Sequence, residues 1–155
     1  TMTSMLDRAI SVALESRSLA RTFMTAVGAS SLTRDGKIFG GFNLESYGHW
    51  GLHAEVVALV NALGKGYNGK DFDRLIVAFP SKYEVYIACP ECWKWLWEFT
   101  HPNLIIYVVN MDGEIQYDCQ LWQVLGTSGN DRVKIYPSEE MRKARPKFNS
   151  EPKLS

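Results

Sequence analysis

Residues 53–79, HAEVVALVNALGKGYNGKDFDRLIVAF, decide the fold class, because they join two buried elements of different kinds. His53 to Gly64 is rich in closely spaced apolar residues and predicts a largely buried helix that ends at Gly64. Lys65 to Asp73 combines glycine, asparagine and lysine and predicts a loop. Leu75 to Phe79 is a continuous apolar run, which indicates a strand buried on both faces.

The elements before and after this stretch continue the alternation of helices and strands. Before it we predict a helix over 4–21, a strand over 26–32, a hairpin turn with the Asp-Gly signal over 34–37, and a strand over 37–43. After it we predict a helix over 90–99 that opens on Pro90, a strand over 104–109, a turn over 111–114, a strand over 115–117 and a short helix over 118–125. This order argues for an α/β layered sandwich around one sheet.

Size and charge favour one compact domain that acts on a small partner. The 155 residues suit one catalytic domain, over 4–126, and a basic tail over 127–155 that we expect to be docked or partly mobile. The 17 basic and 17 acidic residues cancel, whereas proteins that grip long nucleic acids usually carry a basic surplus. We therefore expect no nucleic-acid partner.

The cysteine pattern and the hydropathy favour a soluble cytoplasmic protein. Two of the three cysteines are spaced as Cys89-x-x-Cys92, which indicates thiolate chemistry rather than disulfides. No apolar run approaches the ~20 residues that cross a bilayer. The first residues also lack the charged and then apolar layout of a secretory signal. We expect no membrane partner.

Two short motifs, each opening a predicted helix, indicate a catalytic zinc site. His53-Ala54-Glu55 opens the first helix and Cys89-Pro90-Glu91-Cys92 opens the second. One imidazole, two thiolates and a water form the open tetrahedral site of catalytic zinc, and a helix start stabilises thiolates. We therefore predict His53, Cys89 and Cys92 as ligands of Zn²⁺. Glu55, two residues beyond His53, suits a proton shuttle between the metal-activated water and a leaving group.

Each motif also has an ordinary reading when taken alone. A Cys-x-x-Cys pair is as often half of a structural zinc site or a redox pair. A histidine at a helix start is usually a capping or core residue, and Glu55 could be a solvated acid favoured by the helix dipole. The combination of His-x-Glu and Cys-x-x-Cys, about 35 residues apart and each at a helix start, is the pattern of zinc deaminases. In that pattern proline precedes the first cysteine, whereas here the position is Ala88 and proline follows as Pro90.

Over about 23–125 the sequence resembles the cytidine deaminase family, including its blasticidin S deaminase branch. Four segments match in order: Val27-Gly28-Ala29, the run DGKIFGGFNLE at 35–45, His53-Ala54-Glu55 and Cys89-Pro90-Glu91-Cys92. The resemblance implies a three-layer α/β/α sandwich with a five-stranded mixed sheet. It also implies a homo-oligomer, with a tetramer expected and a dimer possible, and a role in pyrimidine salvage.

The resemblance further implies which residues bind a pyrimidine nucleoside. Asn43 and Glu45 match the Asn-x-Glu pair that hydrogen-bonds the sugar hydroxyls, although a turn asparagine and a solvated glutamate are the ordinary alternative. Phe23 resembles the aromatic residue that flanks the base, with core filling as its alternative. The backbone at Ala54 and Ala88 is expected to read the edge of the base.

The sequence departs from the small tetrameric members at several positions. Those proteins usually have cysteine where this chain has His53 and arginine where it has Trp93. The two changes agree, because a zinc ion with one imidazole and two thiolates carries no net charge for an arginine to offset. Asn43 and His53 are one residue closer than we expect, so the loop over 46–52 is predicted to differ in shape.

These residues together predict hydrolytic deamination of cytidine or 2′-deoxycytidine to uridine or 2′-deoxyuridine, with release of ammonia. Such an enzyme is a hydrolase that acts on a cyclic amidine C–N bond. Three alternatives remain open: a blasticidin S or other specialised nucleoside deaminase, a deaminase of single-stranded nucleic acid gripped by the basic tail, and a zinc-stabilised binding module without catalysis. Glu45 argues against the first, the zero net charge against the second, and Glu55 beside an open metal site against the third.

Overall fold

The computed structural model describes residues 4–23, 25–46, 51–80 and 90–124. Several predicted features lie outside them: Ala88, Cys89, most of the loop over 46–52 and the tail over 127–155. The proposed boundary between a catalytic domain and a tail therefore stays a prediction. Among the described residues, no helix is long and apolar enough to cross a membrane.

Three α-helices form where the sequence pattern predicts them. They are α1 (Met5–Arg17), α2 (Ala54–Leu63) and α3 (Pro90–Phe99). The side chain of Ser4 caps α1 by accepting a hydrogen bond of 3.0 Å from the Asp7 N–H, which satisfies one of the unpaired donors of the first turn. His53 is the N-cap of α2 and Gly64 its C-cap, so the predicted bounds of that helix are confirmed.

Five strands form one mixed sheet in the order β2-β1-β5-β6-β7. In chain order the strands are β1 (Gly28–Thr33), β2 (Ile38–Phe42), β3 (Leu44–Glu45), β4 (Gly51–Leu52), β5 (Phe72–Ala78), β6 (Ile105–Val109) and β7 (Ile115–Gln120). The β5–β6 pair is parallel and the other pairs in this sheet are antiparallel. Strands β3 and β4 pair with each other in a separate two-stranded ribbon.

The helices cover both faces of the sheet and create two hydrophobic clusters. On one face α1 packs Ala9, Ile10 and Ala13 against Leu32, Ile76 and Tyr107 of the sheet. On the other face α2 and α3 pack Leu59 and Leu96 against Leu75 and Ile106. The predicted three-layer α/β/α sandwich with a five-stranded mixed sheet is confirmed.

Two consecutive residues of strand β1 form hydrogen bonds to the helices on opposite faces of the sheet. Successive side chains of a strand point to opposite faces. The Ser30 hydroxyl accordingly donates to the Ala9 carbonyl of α1 at 2.6 Å, and the Ser31 hydroxyl donates to the Ala58 carbonyl of α2 at 2.9 Å.

Two glycines allow the helices to approach the sheet closely. A Cβ atom at Gly28 would collide with the backbone of α1, and one at Gly41 would collide with Ala54 and Ala58 of α2. Gly41 therefore fixes how near the first turn of α2 lies to β2, and that turn carries Glu55.

Some predicted boundaries are wrong. Helix α1 ends at Arg17 rather than at 21, and Arg21 instead forms a parallel bridge with Leu44. The predicted loop over 65–73 contains a 3₁₀ turn at Gly69–Asp71 and the start of β5. The last strand continues to Gln120, so the helix predicted over 118–125 is reduced to a 3₁₀ turn at Leu121–Val124.

Candidate metal centre and catalytic site

The beginnings of α2 and α3 bring His53, Glu55 and Cys92 together. Nδ1 of His53 lies 3.2 Å from Sγ of Cys92, and this Sγ lies 3.5 Å from Oε2 of Glu55. One potential ligand atom from each of the three residues falls within 4.8 Å of the others. The two predicted ligands that the structure describes are therefore adjacent, whereas Cys89 lies outside the described residues.

The donor atoms of His53 and Cys92 fit a zinc ion. A tetrahedral zinc with a nitrogen at ~2.0 Å and a sulfur at ~2.3 Å holds the two ligand atoms about 3.5 Å apart. The observed 3.2 Å is close to that separation. The His53 side chain makes no capping hydrogen bond to its own helix, which excludes the capping alternative. Cys92 is buried in the third position of α3, where the unpaired N–H groups of the first turn favour a thiolate.

Glu55 is a buried carboxylate at the edge of this donor set. Only 6% of the residue is exposed, which excludes the alternative of a solvated acid on the helix surface. Burial of a carboxylate is costly unless it meets hydrogen-bond donors or cations. Its position beside the donor atoms suits a group that exchanges protons there.

Asn43 binds the segment that precedes β1. Its Oδ1 accepts a hydrogen bond from the Val27 N–H at 2.9 Å, and its Nδ2 donates to the Thr25 carbonyl at 2.8 Å. The residue is only 8% exposed. An amide group can make four hydrogen bonds, so one N–H and one lone pair remain for a ligand.

Glu45 binds the earlier part of the same segment, at Thr22 and Phe23. One carboxylate oxygen accepts a hydrogen bond from the Thr22 hydroxyl, and the other accepts one from the Phe23 N–H at 2.8 Å. In the main chain, the Arg21 N–H donates to the Asn43 carbonyl, and the Glu45 N–H donates to the Arg21 carbonyl. We call this set of hydrogen bonds between 21–27 and 43–45 the clamp.

The clamp keeps the Glu45 carboxyl ionised and orients it. The hydrogen bonds from the Thr22 hydroxyl and then from the Phe23 N–H lower the pKa of this carboxyl. In the two-stranded ribbon Glu45 pairs with Gly51, and His53 follows Gly51 by two residues.

Phe23 and Ala54 differ in their exposure. Phe23 is 70% exposed, so the alternative of a core filler is wrong. Ala54 is buried at the first position of α2, where backbone N–H groups have no partner within the helix. The contacts of Phe23 and Ala54 with a pyrimidine base therefore stay predictions.

Two features of the site were missed by reasoning from sequence. The first is Thr22, whose hydroxyl bonds Glu45, and no pattern in the sequence signals it. The second is the approach of α2 to Gly41. The adjacent glycines at 40 and 41 within a strand were a signal for this, because glycine in a strand often marks a close approach of another backbone.

The tryptophans of α3 divide between the core and the surface. Trp93 is 5% exposed and belongs to the hydrophobic cluster on the α2 side of the sheet. Trp95 and Trp97 are each 47% exposed, and the Trp95 ring stacks on Phe99 with centroids 5.8 Å apart. Trp93, at the position where the small tetrameric members usually have arginine, is therefore a residue of the core.

The remaining histidine and cysteine that the structure describes are structural. Nε2 of His101 lies 2.7 Å from the Phe72 carbonyl, which ties the connection after α3 to the start of β5. Cys119 is buried in β7.

Comparison with known proteins agrees with this geometry. Residues 3–108 match the family described as the cytidine and deoxycytidylate deaminase zinc-binding region. A solved structure of cytidine deaminase from Burkholderia pseudomallei is similar over 80% of this chain and 97% of its own, with 28% identity and a TM-score of 0.71.

More distant structures share the fold. Cytidine deaminase from Mycobacterium leprae is 21% identical over 78% of this chain and 97% of its own, with a TM-score of 0.61. A dCMP deaminase from the cyanophage S-TIM5 is also 21% identical, over 73% of this chain and 89% of its own, with a TM-score of 0.51.

Proposed function

We propose, because this chain belongs to the cytidine and deoxycytidylate deaminase family, that it is a zinc-dependent hydrolase that converts cytidine or 2′-deoxycytidine to the corresponding uridine. The observation that carries the proposal is the meeting of His53, Cys92 and Glu55 at the start of two helices. A binding module without catalysis would not need a buried carboxylate 3.5 Å from the thiol of a metal site.

His53, Cys89 and Cys92 would hold the metal. Zn²⁺, when bound, lowers the pKa of a coordinated water to about 7. One imidazole and two thiolates leave the fourth position of a tetrahedral site open. Because His53 would stand in place of a third thiolate, the site would carry no net charge for a cation to balance, and the neighbouring Trp93 is buried in the core.

Glu55 would move the protons of the reaction. It takes one proton from the attacking water and passes it to N3 of the ring, which prepares C4 for attack. It then takes the second proton of the added water and delivers it to the amino group, which leaves as ammonia while the C4 oxygen becomes a carbonyl. The burial of Glu55 keeps bulk water from replacing it in these transfers.

Asn43 and Glu45 would recognise the sugar. Glu45 is held ionised and therefore accepts hydrogen bonds from hydroxyl groups. The remaining N–H and lone pair of the Asn43 amide supply a donor and an acceptor to the same hydroxyls. Phe23, exposed at the end of the clamp, is the surface on which the base would stack.

A substrate panel tests the proposal directly. Conversion of cytosine to uracil changes the ultraviolet spectrum, so purified protein with measured zinc content is assayed on cytidine, 2′-deoxycytidine, blasticidin S and a cytosine-containing oligonucleotide. The family also includes deoxycytidylate deaminases, so 2′-deoxycytidine 5′-monophosphate is a fifth substrate.

We expect turnover of the two nucleosides to exceed that of the other three by at least tenfold. Preference for one of the others would assign that substrate class instead. Zinc-loaded protein that releases ammonia from none of the five would contradict the proposal.

The partner proposed for the assembled protein is a second copy of the chain. Trp95, Trp97 and Val60 expose large apolar side chains on α3 and α2. Light scattering measures the oligomer order, and a homotetramer is expected, as the family resemblance implies. We also place the protein in the cytoplasm and in pyrimidine salvage. Deletion of the gene should then reduce growth of a strain that depends on cytidine as its pyrimidine source.

A further inference from the structure

The clamp joins the two residues that are proposed to bind the sugar to the segment 22–27. Hydrogen bonds to this segment hold both side chains, Asn43 and Glu45. Their orientation is therefore set by 22–27 before a substrate arrives. Such pre-orientation raises affinity because the cost of ordering the side chains falls on folding rather than on binding.

Thr22 contributes the side-chain hydrogen bond of the clamp to Glu45. A glutamate has three side-chain torsions, and a hydrogen bond from a backbone N–H alone leaves the carboxylate free to rotate about that contact. The Phe23 N–H holds one oxygen, and the Thr22 hydroxyl holds the other. Two donors on two different oxygens fix the plane of the carboxylate.

We propose that Thr22 is a positioning residue for nucleoside recognition: its hydroxyl fixes the Glu45 carboxylate so that the unused lone pairs face the sugar hydroxyls. This inference rests on the proposed function and names a residue that acts on the substrate only through Glu45. Each carboxylate oxygen keeps a second lone pair after accepting from the clamp, so sugar binding does not require the clamp to break.

The test replaces the hydroxyl and keeps the shape. Thr22→Val removes the donor to Glu45 and retains a β-branched side chain, and Thr22→Ser restores the donor. Ser11→Ala is the control, because Ser11 also carries a hydroxyl but lies at an exposed position of α1, outside the clamp. Thermal unfolding followed by circular dichroism identifies folded variants.

We expect Thr22→Val to raise KM for cytidine about tenfold, the scale of one hydrogen bond to a charged group, with kcat within twofold of the parent value. Thr22→Ser should restore KM to within about twofold, and Ser11→Ala should leave both parameters unchanged. With 2′,3′-dideoxycytidine, which lacks the sugar hydroxyls, Thr22→Val should have the same KM as the parent protein.

Two results would overturn the assignment. The first is an unchanged KM for cytidine in a folded Thr22→Val protein. The second is an equal rise in KM for cytidine and 2′,3′-dideoxycytidine, which would show that the base or the whole segment is disturbed.

Calorimetric titration with uridine and 2′,3′-dideoxyuridine repeats the comparison without turnover. A protein that binds uridine through the clamp but deaminates nothing would sink the proposed function and leave this inference standing. Equal affinity of the parent and Thr22→Val proteins for uridine, or no binding of uridine by the parent, would sink the inference itself.

Discussion

Nδ1 of His53 lies 3.2 Å from Sγ of Cys92, although 39 residues separate the two in sequence. Both residues stand at the start of a helix, and both helices pack on the same face of the sheet. The contact therefore depends on how α2 and α3 are placed relative to the strands as much as on the two residues themselves.

Replacing Glu55 should abolish turnover while the metal stays bound. Because Glu55 is assigned to proton transfer and not to ligation, Glu55→Ala should keep the fold and the zinc content but lose about 10²–10⁴-fold or more in kcat. Metal analysis and cytidine turnover measure the two effects on the same sample. Glu98→Gln, on the exposed side of α3, is the control and should change neither. Normal turnover by Glu55→Ala would remove Glu55 from the mechanism.

Replacing Cys92 should remove the metal. Cys92→Ala deletes a proposed thiolate ligand, so the zinc content per chain should fall below about a tenth of the parent value and turnover should disappear with it. Cys119→Ala is a matched control, since Cys119 is also fully buried but lies in β7. It should cost some stability and keep zinc. A Cys92→Ala protein that retains one zinc per chain would show that this thiol is not a ligand.

Gly41→Ala should disturb the site through the backbone of α2. The added methyl group collides with Ala54 and Ala58, so the first turn of α2 must move away from β2. We expect a loss of about 1–3 kcal/mol in the free energy of unfolding, together with weaker zinc binding in a chelator competition.

Gly28→Ala makes an equivalent collision with α1 and is the comparison for Gly41→Ala. It should lose similar stability, but the folded protein should bind zinc normally. Equal zinc affinity of the two variants would show that the position of α2 does not set the geometry of the site. If Gly41→Ala does not fold, Ser31→Ala tests the same point by removing one anchor of α2.

Asp35 should contribute an acid-dependent part of the stability. Hydrogen bonds from the Thr33 hydroxyl at 2.5 Å and the Tyr67 hydroxyl at 2.7 Å lower the pKa of this carboxyl. Above about pH 4 the stabilisation is present, because the carboxyl is then ionised in both the folded and the unfolded chain. It is lost as the pH falls through the lowered folded-state pKa, where the unfolded chain binds the proton more tightly.

Urea unfolding between pH 5 and pH 2.5 measures this contribution. The parent protein should lose more stability over that interval than Asp35→Asn does. Asp112→Asn, at an exposed position in the turn before β7, should lose as much as the parent. Identical pH profiles for the parent and Asp35→Asn would contradict the assignment.

The sequence predicts the elements well where one physical signal dominates. The continuous apolar runs of β5 and β6 and the Pro90 start of α3 lie where the structure has them. It fails where two strands deviate from regular pairing. Phe72 pairs with Thr33 across an irregularity beside Leu32, and this breaks the alternation that would have marked the start of β5.

A buried polar residue hides the length of β7. The later part of the strand carries Asp118, which is polar but buried. A polar residue at this position predicts that the strand ends before it, as in the strand predicted over 115–117. The end of α1 at Arg17 was also hidden from the sequence. Arg21 forms a main-chain contact with Leu44, which is distant from it in sequence.

The residues of the candidate site also fall into those that the sequence predicts and those that it does not. The choice of His53, Glu55 and Cys92 depends on motif spacing, and the structure brings these three together. The role of Thr22 depends on a contact with Glu45 across more than twenty residues, and only a folded structure displays such a contact.

The neighbouring serines of β1 offer a way to observe the two helix layers separately. Ser30 reports on α1 and Ser31 on α2, although their backbone amides are consecutive in one strand. Isotope labels on this single dipeptide would record the two sides of the sheet as adjacent signals. If extraction of zinc loosens only the layer that carries His53, the Ser31 signal should shift while its neighbour serves as an internal reference.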